Sequence, residues 1–326
     1  MSTAPDGLYQ YGGVPVSSGP DTIFGKVWFV DDTNGSDGND GRTIGESFAT
    51  IQTAITAQGD NATGLGDVIY VLPGTYVESL TGDLTDCSLI GAMPNRPLAV
   101  KITPTDGSAY AGTLNNAVVR GISFYSSSES NPTYAAFRAQ RMLGSTIDGC
   151  LFYAGAVSET STGFRIGHEA STESTPYDKM SESSFTNNRI GTRYGGLNCH
   201  YGICFGPSKS TDANNRYVYM QDSVIANNAI AAEAYGIMMG VIYTSGSNAI
   251  VAHNYVHGGL LYAGQCHNSG IRAYDRGHDN KLIKVYDNRV SAQSDCIDGF
   301  AAQNVMGNII GTGGGTSTPV GETPAT

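Results

Sequence analysis

Acidic side chains are the first place to look for chemistry in this sequence. Ser294-Asp295-Cys296-Ile297-Asp298-Gly299 carries two acids close together, Asp275 and Asp279 come shortly before them, and Glu233 lies further upstream. Two carboxylates a few ångströms apart supply the acid and the base or nucleophile that glycoside hydrolysis needs. A second acidic region runs from Asp31 to Gly41 and sets Asp31, Asp32, Asn34, Asp37, Asn39 and Asp40 among glycines. That composition offers the oxygen ligands calcium takes, although the EF-hand spacing and its closing Glu are missing. The competing reading is a loop whose Asp and Asn bond their own backbone. Calcium is therefore the one cofactor to consider. Cys199 and Cys204 flank His200, yet zinc needs four convergent ligands. The six cysteines contain no CxxC pair, so they read as small buried side chains.

Any such site must be positioned by short strands. Seven segments repeat alternating apolar residues around a Gly or Asn, among them Val118–Phe124, Ile147–Phe152, Val224–Ile230 and Ile283–Val290. Asn188, Asn228, Asn254, Asn288 and Asn308 align at steps of 40, 26, 34 and 20 residues, an irregular period typical of solenoids. A second series, Gly163-Phe164-Arg165, Gly202-Ile203-Cys204, Gly236-Ile237-Met238 and Gly270-Ile271-Arg272, interleaves with the first. Strands of three to five residues winding in one direction must pair in parallel with the coil above. The repeated Asn is read as a turn residue that accepts left-handed φ and bonds the Asn of the next coil. The expected fold is all-β, a single-stranded right-handed parallel β-helix with an extended N-terminal arm and a short cap helix. A flat sandwich would need more hairpin signals than occur.

Four regions follow. Residues 1–25 are broken by Pro5, Pro15 and Pro20 and by Gly12 and Gly13, which bars a helix. They still carry Leu8, Tyr9, Tyr11, Val14 and Val16, apolar groups suited to anchoring on a partner. Residues 26–80 read as a cap: a strand at Lys26–Val30, the acidic loop, a helix bearing Phe48, Ile51 and Ile55, and a strand ending at Pro73-Gly74. A solenoid needs such a cap over its first coil. Coils fill residues 81–312, and a Gly/Thr/Pro-rich tail covers 313–326. Charged residues make up only 14% and the net charge is −11. With no cluster of Lys and Arg, nucleic acid is not an expected partner. No apolar run is long enough for a membrane span. No basic-then-apolar leader opens the chain, so folding in a cytosol is expected, with free thiols.

The stretch from Val27 through Tyr76, with Asn39-Asp40-Gly41, Phe48-Ala49-Thr50-Ile51 and Val71-Leu72-Pro73-Gly74-Thr75-Tyr76, resembles the N-terminal region of the pectin-lyase-like β-helix superfamily. The coils from Val118 to Ile310 are similar to its repeats. Gly7-Leu8-Tyr9-Gln10-Tyr11-Gly12-Gly13-Val14-Pro15-Val16, directly before the cap, resembles the start of tailed-bacteriophage virion proteins of this fold. That resemblance implies a homotrimeric particle component, a capsid decoration (cement) protein or compact spike. It would be assembled in the host cytoplasm, with the arm on a capsid or tail protein. The alternatives are a tailspike-like lyase or hydrolase acting on host surface polysaccharide, and a non-catalytic glycan-binding spike. The polygalacturonase-type signature is missing: the body has no adjacent Asp pair and no Arg-Ile-Lys, and His257-Gly258-Gly259 precedes the acids. Catalysis is thus the second expectation and structure the first.

Overall fold

A computed structural model describes residues 25–59, 66–126, 135–154, 161–167, 177–191, 199–205, 217–239, 243–257, 269–273, 283–292, 296–298, 300 and 305–312, with the short pairs 10–11 and 14–15. Among them every strand pairing is parallel except Gln10–Tyr11 with Val14–Pro15, a small antiparallel pair inside the arm. The rest of the arm and the tail lie outside the described residues.

The chain winds as a right-handed parallel β-helix, the hand that crossover connections between parallel strands take. Each coil contributes to three faces. The first face is a ten-stranded sheet from Val27–Val30 through Val118–Arg120 to Val305–Met306. The second face runs from Gly74–Tyr76 through Ser123–Tyr125 and Leu151–Tyr153 to Ile309–Thr312. The third runs from Leu80–Thr81 and Leu84–Thr85 through Tyr110–Asn115 and Ala135–Leu143 to Ile297–Asp298. Alternation sends one set of side chains into a continuous core. In the middle coils that core is aromatic: Phe164 stacks on Phe185 at 4.3 Å and Tyr110 on Phe137 at 4.4 Å. Later coils hold Ile230, Val251, Val256, Val285 and Val290 instead.

The turn between the first and second faces is held by the five asparagines, stacked in one column as the repeat predicts. Each amide oxygen accepts from the backbone N–H one coil below: Asn188 from Cys150 (2.9 Å), Asn228 from Asn188 (2.9 Å), Asn254 from Asn228 (3.1 Å), Asn288 from Asn254 (3.0 Å) and Asn308 from Asn288 (2.9 Å). Each amide nitrogen donates to a strand carbonyl of the first face, as Asn254 does to Ile225 (3.0 Å). The left-handed residue, however, is the one before each asparagine: Asn187 (φ 57°), Asn227 (59°), His253 (55°), Asp287 (52°) and Gly307 (63°). The expectation that the column itself carries positive φ is corrected. The column is there because its buried amide satisfies backbone groups of the adjoining coil.

The other corner, from the third face to the first, repeats the device with serine. Left-handed Asn116, Gly144, Glu182 and Asp222 each precede a buried small residue. Ser145 Oγ accepts from Ala117 N (3.0 Å), Ser183 Oγ from Ser145 N (3.0 Å) and Ser223 Oγ from Ser183 N (3.2 Å). Each hydroxyl then donates to the carbonyl two residues before it.

The short helix expected near the start of the coils runs Ile51–Gly59. Phe48 lies outside it and stacks on Trp28 at 5.8 Å. Glu78 accepts from both Ile51 N and Gln52 N (2.9 Å each), a carboxylate at the positive end of the helix. Gln52 exchanges two hydrogen bonds with Thr81, and Gln58 donates to Thr85 O (3.1 Å). The helix thereby covers the open edge of the third face, which would otherwise template another strand.

Candidate functional site

Of the acids that the sequence singles out for hydrolysis, the structure describes Glu233 and Asp298. Asp275, Asp279 and Asp295 lie outside the described residues. Asp298 is in a strand whose backbone pairs it with Arg272 rather than with another acid. Glu233 is buried on the strand Ala229–Met239, where it bends from the second face toward the third. Burial, with Glu233 nearby as a lesser cause, pushes the Cys199 thiol up to about 12.

The acidic loop forms backbone bonds instead of a ligand shell. Asp31 Oδ1 accepts from Thr33 N and Asn34 N, and Asn34 Nδ2 donates to Asp31 Oδ2. Asp32 Oδ2 accepts from Thr75 N (3.0 Å), tying the loop to the second face. Asp37 Oδ1 accepts from Ala49 N and Thr50 N. Asn39 donates to Ser47 O and Asp40 accepts from Arg42 N. No metal-ligating group of His, Cys, Asp and Glu occurs among the described residues.

Other acids bridge coils in the same manner. Asp148 pairs with Arg120 (3.1 Å) and accepts from Thr186 Oγ1 (3.1 Å) and Asn187 Nδ2 (2.6 Å). Asp86 accepts from Asn116 (3.0 Å) and Asp222 from Asn248 (3.0 Å). Asp67 accepts from Lys26 N (2.7 Å) and Trp28 Nε1 (3.3 Å).

The most distinctive surface is the outer side of the third face. The inward column of Phe137, Phe164, Ile203, Ile237 and Ile271 is followed by an outward column of Arg138, Arg165, Cys204, Met238 and Arg272. Arg165, Cys204 and Met238 are buried although they point away from the core. Arg165 donates to Thr162 Oγ1 (2.9 Å). Tyr201 and Tyr235 stack in parallel at 5.4 Å, with the Arg272 guanidinium 6.0 Å above the Tyr235 ring. Aromatic rings and a guanidinium thus meet on this surface in a cation–π contact.

Sequence reasoning missed this column. Its signal was present in Gly163-Phe164-Arg165-Ile166, where a charge interrupts an otherwise apolar strand. The glycines of that series have a packing cause. A Cβ on Gly163, Gly202, Gly236 or Gly270 would run into Ile190, Ile230, Val256 or Val290 of the second face.

The fold defines a parallel β-helix protein. No protein-family model matches the chain, and no curated protein matches it. Among solved structures it is similar to a pectin methylesterase from Aspergillus niger in deglycosylated form, at 14% identity over 95% of this chain and 92% of that one, with a TM-score of 0.46. It is also similar to pectin methylesterase PemA from Erwinia chrysanthemi, at 12% identity over 82% and 71%, with a TM-score of 0.38. Pectate lyase Pel9A matches at 11% identity over 90% and 78%, with a TM-score of 0.41. Likenesses this low transfer no activity, and the fold assignment rests on the strand pairing above.

Proposed function

We propose that this chain is a non-enzymatic structural component of a tailed-phage particle. It would be a trimeric decoration protein or compact spike held by residues 1–25 on a capsid or tail protein. One observation carries the reading: six described acids hold backbone and neighbouring coils together. Asp31, Asp32, Asp37, Asp67, Glu78 and Asp148 all accept hydrogen bonds of this kind. The resemblance of Gly7–Val16 to phage virion proteins supplies the particle. Leu8, Tyr9, Tyr11, Val14 and Val16 supply apolar groups each worth about 1.5–3 kcal/mol when buried against a partner. Ordering such a segment costs about 1–2 kcal/mol per residue, so it requires that partner. Trimeric closure about a cyclic axis is the arrangement we assign to the coils.

The test is deletion of residues 2–22. Truncated protein that folds but no longer incorporates into particles supports the arm as the anchor. Truncated protein that still co-purifies in full amount contradicts it. A second reading, a glycan-cleaving enzyme, draws on the burial of Arg165 and Glu233, two coils apart. Shortening of a host polysaccharide by the purified chain, abolished by Glu233→Gln, would establish that reading and remove the first.

A further inference from the structure

The second face differs from the rest of the molecule in charge. Where its nine strands pair with one another they carry Lys101, Arg189 and Arg289 and no Asp or Glu, in a chain with 29 acids and 18 bases; buried Glu233 lies on the strand Ala229–Met239 beyond the paired residues Ala229 to Ala231. Along one outward column the register stacks Leu151, Arg189, Ala229, Tyr255, Arg289 and Ile309 on successive coils. Arg189, Tyr255 and Arg289 are exposed. Tyr255 is 42% exposed, unusual for a tyrosine packed between coils.

The two faces of the Tyr255 ring are not equivalent. The Arg289 guanidinium sits over the ring at 5.5 Å from the coil above, a cation–π contact that fixes it. The coil below presents the Ala229 methyl, and the next presents Arg189, whose charge partly opposes the burial that pushes the Tyr153 phenol up. Adjacent strands are about 4.8 Å apart, so Tyr255 and Arg189 stand roughly 10 Å apart across an alanine floor. A sugar ring at van der Waals distance, about 4 Å from the Tyr255 ring, fits that interval and brings its substituents to the guanidinium.

We infer that this slot between Arg189 and Tyr255 binds an acidic residue of a polysaccharide, the pyranose ring on Tyr255 and its carboxylate or sulfate on Arg189. Charge selects the class: a cationic, acid-free face on an acidic protein attracts a polyanion and leaves neutral glycans to stacking alone. A bidentate guanidinium–carboxylate pair then sets the orientation. This takes the particle reading one step further by naming what the protein touches, and its failure would leave that reading standing.

The experiment is calorimetric titration of the full chain with oligoglucuronate of about six residues, against a neutral dextran oligomer of equal length and single-stranded oligothymidylate. The slot predicts binding of oligoglucuronate that weakens as salt rises and no measurable binding of dextran. Tyr255→Ala and Arg189→Ser should each weaken it at least about tenfold. Ala229→Leu, which fills the floor, should do the same while the melting temperature stays unchanged. Equal binding of dextran overturns the charge argument, and equal binding of oligothymidylate overturns the ligand class. Unchanged affinity in both Tyr255→Ala and Ala229→Leu removes the site, as does a wild-type chain that binds none of the three at millimolar concentration.

Discussion

The two corners of the coil solve one problem with different chemistry. At each, a left-handed residue turns the chain and leaves the next backbone N–H facing the coil above. Asparagine answers at one corner with an oxygen that accepts upward from below and a nitrogen that donates to a strand carbonyl. Serine answers at the other with one hydroxyl, which accepts across coils but returns its proton within its own coil. The amide thus joins more of the structure than the hydroxyl. It also spans steps as unequal as 40 and 20 residues without losing the column, because the insertions fall elsewhere in the coil.

The sharpest way to break the comparison is Asn254→Leu. The buried N–H of Asn228 and the carbonyl of Ile225 lose their partners, and the amide contacts to Asn228 and Asn288 disappear. Buried orphans cost about 1–3 kcal/mol each, so a loss of about 3–5 kcal/mol is expected from urea melting. No part of that loss comes from backbone strain, since the left-handed residue is His253. Ser183→Ala, the matching cut at the other corner, orphans only Ser145 N–H and should cost about 1–2 kcal/mol. A serine variant as damaging as the asparagine one would end the distinction.

The same burial predicts silent thiols. Cys150 holds the ladder position one coil before Asn188 and Cys199 lies in the core, and burial pushes both thiols up to about 12. A pKa raised in the fold stabilises below the unfolded value, near 8.5–9, and that stabilisation is lost as pH climbs toward the folded one. Native protein at pH 8 should therefore leave Cys150 and Cys199 unmodified by iodoacetamide, and urea should expose both. The smallest effect is His253→Gly, which relieves a left-handed non-glycine residue and should raise stability by about 0.5–1 kcal/mol in the same melts.

How legible each corner was in the sequence follows from this chemistry. Asn188, Asn228, Asn254, Asn288 and Asn308 sit in a matching apolar frame, so their column was readable even with the wrong φ assigned. Ser145, Ser183 and Ser223 look like any turn serine, because a hydroxyl satisfies a corner without constraining the strands beside it. Glu78 as the cap of a helix 27 residues earlier could not be read, since only the fold brings them together. The acids of the loop 31–41 were legible as a group but ambiguous in role. Oxygen-rich composition suits a cation and backbone N–H donors equally, and only the geometry distinguishes them. Arg165 was hidden because an apolar strand with a charge at its centre reads as half-exposed, whereas here the charge is fully covered.

The central claim, a structural particle protein rather than an enzyme, is tested most directly by quantitative mass spectrometry of density-gradient-purified particles. The account predicts the chain in those particles at a fixed copy number divisible by three, lost when residues 2–22 are deleted. A chain absent from the particles, and found instead as a soluble protein that shortens polysaccharide, would contradict it.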